Sequence, residues 1–156
     1  MLKPHAPVVF LNPAIVLARS RAMTIGLVPS AGAPTGGAIV MGHPPVAAIT
    51  HLCDRLGALL VCTASTDPYD ARDQLLSDGV RAPFAADWRT DWANPDRAAA
   101  VTRWHEEHGR PAAVFVDRQG FDVPGLRGIT VPAHLTLTVA HVDRLLLAVR
   151  SGQGHA

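Results

Sequence analysis

VVFLNPAIVL, residues 8–17, is an apolar run interrupted by an Asn and a Pro. Four apolar residues in a row ahead of a polar one have the length and character of a strand buried on both faces and ending at a turn. Strands of that kind belong to parallel sheets, so the rest of the chain should alternate strand with helix. From residue 44 it does. Pro44 and Pro45 open a helical pattern with Val46, Ile49, Cys53 and Leu56 at helical spacing and Gly57 placed to end it. ALLVCT (58–63) reads as a second buried strand. Asp67 and Pro68 supply a cap and a first-turn proline for a helix that Gly79 closes. Asn94 and Pro95 repeat the device for a helix carrying Ala98, Val101, Trp104 and His108, with Gly109 after its end. AAVFVD (112–117) is another apolar run, GITV (128–131) a short strand, and Thr138 caps a last helix, VAHVDRLLLAVR.

The pattern predicts an α/β fold, a doubly wound, Rossmann-like parallel sheet with helices on both faces. Residues 19–43 break the alternation. There MTIGLV and GAIVMG flank PSAGAPTG, which predicts a hairpin, a small flap inserted after the first strand. AGAPTGG lacks the GK[ST] ending and the strand-to-helix setting of a phosphate-binding loop. A length of 156 residues suits one domain over 1–150, followed by a frayed tail, 151–156.

Net charge is +1 with the signs interleaved, so charge gives no support for nucleic-acid binding. The apolar stretch after Lys3 is broken by Asn12 and Pro13 and is too short to span a bilayer. Cys53 and Cys62 lie in apolar contexts without CxxC spacing, the pattern of buried, reduced thiols. These features together predict a soluble, cytoplasmic protein with no membrane partner.

In doubly wound sheets ligands bind beyond the carboxyl ends of the strands. That directs attention to Asn12 onward, to residues 63–66 and to residues 117–122. Two longer stretches accompany them: ADWRTDWANPDRAAAVTRWHEEHGRPAAVFVDRQ (86–119) and VPAHLTLTVAHVDRLL (131–146). Taken in order, these features resemble the haloacid dehalogenase (HAD) superfamily of phosphatases and phosphotransferases, and most of all its small bacterial and phage domains without a large cap, some of them associated with nucleic-acid end repair. The resemblance covers most of the chain and is clearest from about residue 44.

The resemblance implies a first strand ending in hhhhDxDxx, where the first Asp attacks phosphorus, the second is the general acid and base, and both help to hold magnesium. Here Asn12 stands at the nucleophile and Ala14 at the acid/base. An amide oxygen is a neutral, weak nucleophile and a poorer ligand for a hard cation than a carboxylate, and a methyl group transfers no proton. Deamidation cannot restore the acid by the usual succinimide route, because Pro13 has no backbone N–H to attack with.

The remaining stations follow from the same resemblance. Thr63, with Ser65 as the alternative, is the hydroxyl donor to a phosphate oxygen, and Arg97 is the balancing cation. Asp117 is the magnesium-binding acid and Asp122 the second acid, a site weakened by the changes at 12 and 14; no other cofactor is expected. Arg118 stands where many relatives have a second Asp, and its guanidinium can occupy the space of a metal. Trp88 and Trp92 either clasp the segment before the third helix or wall a pocket for an organic ligand. His105 and His108 share a helix but lack a third ligand at metal spacing. No GxSxG marks a serine nucleophile, and Cys62 lies inside a strand.

The functional expectation is a degenerate HAD-like domain that has lost aspartyl-phosphate chemistry and acts by binding a small-molecule ligand or by assembling with a protein partner or with itself, the hairpin around 24–41 offering a surface. The alternative is a repurposed enzyme of specialised metabolism performing a cyclisation, dehydration or rearrangement, with Asp117, Arg118, Arg97 and Thr63 supplying an acid or base and anion-stabilising groups and the Trp pair shaping the pocket. An active phosphatase or end-repair hydrolase ranks last, because its nucleophile must come from elsewhere.

Overall fold

A computed structural model describes residues 6–17, 44–64, 71–109 and 112–154, with side chains described as far as Arg150. The expected hairpin, Ser65 and the Asp67–Pro68 cap lie outside the described residues. Five strands form one parallel sheet: β1 (Val8–Leu11), β2 (Leu59–Cys62), β3 (Phe84–Arg89), β4 (Ala113–Arg118) and β5 (Arg127–Val131), in the order β3-β2-β1-β4-β5. The helices are α1 (Pro44–Leu56), α2 (Ala71–Ser77), α3 (Arg97–His108) and α4 (Val139–Gly154). This is the doubly wound arrangement that the apolar runs predict.

Side-chain alternation along the strands divides the core into two layers. Val9 and Leu11 of β1 point to the same side as Leu60, Cys62, Val114 and Val116, where Ile49 and Leu52 of α1 meet Val142 and Leu145 of α4. Val8 and Phe10 point the other way with Leu59, Val61 and Phe115, against Val101 and Trp104 of α3. The Phe10 and Trp104 rings meet edge to face at 5.4 Å, a geometry that adds to the apolar burial. All four β1 residues are fully buried, which explains why this strand reads as a continuous apolar run.

The helix ends carry their signals. Gly57 and Gly109 adopt φ of +63° and +58° directly after α1 and α3, the left-handed conformation that closes helices and that glycine adopts without strain. Thr138 precedes α4 as expected: its N–H donates to His141 Nδ1 at 3.0 Å while the His141 N–H donates to the Thr138 carbonyl. The imidazole supplies the returning arm of a capping box in place of a carboxylate, while the His141 N–H is taken by the Thr138 carbonyl and not by its hydroxyl.

Two expectations need correction, and one strand was not foreseen. α3 does not start at Asn94–Pro95; its N-cap is Asp96, whose side chain accepts from the Ala99 N–H at 3.0 Å, while Asn94 Oδ1 accepts from the Asp96 N–H. Pro95 here serves the turn into the cap, and Arg97 becomes the first helical residue. α4 continues through Gly154, past Arg150 and into the expected frayed tail. FAADWR forms an edge strand, β3, in a stretch that has no strand-like apolar run. Among the described residues no helix is long and apolar enough to cross a membrane.

Candidate functional site

β1 sits where the strand order reverses, with β2 on one side and β4 on the other. After β1 the chain turns through a short helical stretch whose Ile15, Val16 and Leu17 enter the layer under α1 and α4. After β4 it turns to the opposite layer, where Val123 is buried beside Phe121 and Leu126. Two neighbouring strands whose continuations part in this way leave a crevice at their carboxyl ends.

Strand register fills that crevice with a row of polar residues. Leu11 is level with Cys62 on one side and Val116 on the other, so Thr63, Asn12 and Asp117 follow side by side. All three are buried, at 1%, 7% and 1% exposure, so each needs internal partners. Each is one residue beyond a side chain that faces the α1–α4 layer, so alternation sends all three toward α3. There Arg97, brought to the strand ends by the Asp96 cap, meets Asp117.

Asp117 accepts four N–H bonds. Arg97 donates to Oδ2 through one terminal nitrogen and to Oδ1 through the other at 3.3 Å, Asn12 Nδ2 donates to Oδ1 at 3.0 Å, and the Arg118 backbone N–H reaches Oδ1 at 2.7 Å. Asn12 Oδ1 accepts from the Ala14 N–H at 3.1 Å, so both ends of its amide are assigned by their partners. The Arg97 guanidinium also lies 4.7 Å from the centre of the Phe121 ring. A two-pronged ion pair against an aromatic face is the arrangement Arg suits and Lys does not.

Thr63 Oγ1 is buried and has no hydrogen-bond partner among the described residues, although its backbone N–H is satisfied by the Leu11 carbonyl. Asp122 is exposed and lines a shallow cleft of about 540 Å³ with Arg97, Asp96 and Phe121. Arg118 enters the network through its backbone only; the guanidinium beside Asp117 is that of Arg97. Trp88 and Trp92 lie elsewhere. They meet at 5.8 Å beyond β2, with Trp92 Nε1 donating to the Cys62 carbonyl and Arg89 over both rings. Trp88 is on the edge strand β3, three strand spacings from β4, roughly 14 Å at ~4.8 Å each, and Trp92 follows in the turn before α3. The pair clasps the sheet edge beside the end of β2, where Trp92 bonds the residue before Thr63.

Magnesium requires several oxygen ligands in near-octahedral array. In the row of strand ends the sole carboxylate has both oxygens occupied by N–H donors, and the amide oxygen of Asn12 is turned to Ala14. The described residues of the row do not fit the ion. Among the described residues no three His, Cys, Asp or Glu side chains are grouped as a metal site. His108 instead stacks on Trp104 at 3.8 Å and pairs with Asp87.

The sequence reading missed the bond from Asn12 to Asp117. Its signal was available: an Asn and an Asp ending neighbouring parallel strands at the same level are a donor and an acceptor within reach. Compared with known proteins, the chain matches no family model, no curated protein and no solved structure.

Proposed function

We propose that the chain is a degenerate HAD-like domain that acts by binding or assembly and performs no aspartyl-phosphate transfer. The observation that carries this reading is the closed Asn12–Asp117–Arg97 network. An Asp at position 12 would set two carboxylates about 3 Å apart, an arrangement that requires a proton or a metal between them. Asn12 removes that requirement by offering an N–H to Asp117, and Arg97 supplies the positive charge. The amide at 12 and the salt bridge are therefore mutually consistent, and each makes the metal dispensable.

The alternative of a repurposed catalyst needs Asp117 free to take a proton. A carboxylate that is 1% exposed and accepts from four N–H groups is better suited to tie strand ends together than to serve as a base. Two roles that act as a unit are absent at 12 and 14, so residual phosphoryl transfer is not expected from the others.

The test is thermal unfolding with magnesium, inorganic phosphate and both, for the native protein and an Asn12→Asp/Ala14→Asp variant, together with turnover of p-nitrophenyl phosphate. A ligand at about a hundred times its Kd stabilises the folded state by roughly 2.7 kcal/mol, a shift that is easily read. The native protein should be unmoved and inactive, and the variant should respond to magnesium. Stabilisation of the native protein by magnesium with phosphate, or hydrolysis above the buffer rate, would overturn the reading.

A further inference from the structure

At the opposite end of the sheet from Asn12 and Asp117, the strands begin and α1 and α4 end. A groove of about 710 Å³ opens there, within the size range of pockets for small organic molecules. Its floor is apolar: Val8 and Val114 are buried, while Leu126, Leu146 and Val149 are half-buried at the margins of the two core layers. Its rim is positively charged. Arg55 from the last turn of α1, Arg127 from the start of β5 and Arg150 from α4 all line it and are all exposed.

Two observations separate this rim from an ordinary solvated surface. No described Asp or Glu lines the groove, although the chain has nearly as many acidic residues (13) as Lys and Arg (14). None of the three arginines forms an ion pair with a described acid, whereas Arg97 and Arg103 each do. The carbonyls at the end of α1 favour a cation in its last turn and so account for Arg55. They do not account for Arg127, which is on a strand, or for Arg150, which precedes the end of α4 by more than a turn.

We propose that this groove is a binding site for a small organic anion, with an apolar body on the floor and a carboxylate, sulfonate or phosphate head among Arg55, Arg127 and Arg150. Apolar burial supplies the affinity, and the unpaired guanidiniums, with their fixed forks of N–H donors, select the charged head. The site is independent of the reading given to the strand-end crevice.

The test uses two probes of nearly the same shape, 1-anilinonaphthalene-8-sulfonate and its uncharged counterpart N-phenyl-1-naphthylamine, titrated by fluorescence against the native full-length protein and an Arg127→Gln/Arg150→Gln variant. Both positions are exposed, and an unchanged Tm verifies that the variant is folded. The sulfonate should saturate one site per chain and bind about tenfold tighter than the neutral probe, and the double variant should lose about that factor for the sulfonate alone, as expected for two partly exposed charge contacts. Equal binding of the two probes, or sulfonate binding unchanged in the variant, would overturn the proposal. So would a site that opens only when residues 2–5 are deleted, which would make the chain's own N-terminal segment the occupant. A native dimer by sedimentation that the double variant dissociates would likewise overturn it by making the groove a contact between copies.

Discussion

Changing Asp117 to Asn keeps the side chain's shape and removes its charge: the amide oxygen can still accept from Asn12, but the new NH2 faces the Arg97 guanidinium, which loses its counter-ion. Breaking one partner of a buried pair costs about 3–5 kcal/mol; Arg97 is 34% exposed, so a loss of about 2–3 kcal/mol is expected in urea unfolding. Thr63→Val should act in the opposite direction, because it deletes a buried hydroxyl that has no partner among the described residues; a gain of up to about 1 kcal/mol is expected by the same measurement. A third residue sets a pH dependence. Burial pushes the Cys53 thiol from its ordinary 9.0 up to about 12. The unfolded chain releases that proton from about pH 9 and the folded chain holds it until about 12, so its contribution is complete below pH 9 and declines by about 1.4 kcal/mol per pH unit above it. Urea titrations at pH 8 and 10.5 should show this decline, and Cys53→Ala should lessen it. At this scale Asn12, Thr63 and Asp117 were legible because each directly follows an apolar run. Arg97 was expected as the balancing cation, but the guanidinium expected directly beside Asp117 was that of its sequence neighbour, Arg118. Alternation decides otherwise: Asp117 faces α3, and the next residue on a strand faces away.

Gly128 shows how one strand pair is built. It lies level with Phe115 across the β4–β5 pairing, and a Cβ on it would fall 2.4 Å from the Phe115 ring. The buried ring is also braced edge-on by Phe121 at 5.4 Å. An alanine at 128 restricts the unfolded chain and by that alone would stabilise by ~0.4–1 kcal/mol. Overpacking a braced ring costs about 1–3 kcal/mol and should win, so Gly128→Ala is expected to lower the Tm, and pairing it with Phe115→Leu should recover part of the loss. The elements legible in the sequence were those whose two faces are covered: β1, β2 and β4 lie inside the sheet and read as unbroken apolar runs. β3 was not legible because it is an edge strand with one buried residue, Ala85, and no β-branched side chains. The clue lay in the alternation itself, since α2 and α3 are separated by too long a stretch for a connection without structure of its own. The displaced cap of α3 has a similar cause. Asn94 and Asp96 are both good caps, and the choice between them rests on the turn at Pro95.

The molecule as a whole places its rigid and soft parts unevenly around the strand-end crevice. β1 is paired on both sides, is covered on both faces and has no exposed side chain, so exposing its amides requires the two core layers to separate. β4 is also interior, and the Asn12–Asp117 bond ties its end to that of β1. β5 is an edge but pairs with β4 in unbroken register and buries Ile129 and Val131. β3 has one neighbour, and its register with β2 slips between Leu60↔Phe84 and Cys62↔Arg89. Opening free energies within a protein range from near zero to the global value, according to how much burial and pairing each opening sacrifices. Native-state hydrogen exchange should therefore rank protection as β1 and β4 highest, β5 next and β3 lowest. Weakening the strand-end network through Asp117→Asn should lower β1 and β4 together, by the same amount as the loss of global stability, because neither strand can open alone. If β4 lost protection while β1 kept it, Asp117 would be fastening its own strand only. The Asn12–Asp117 bond could not then be the tie that holds the two sides of the crevice in one body.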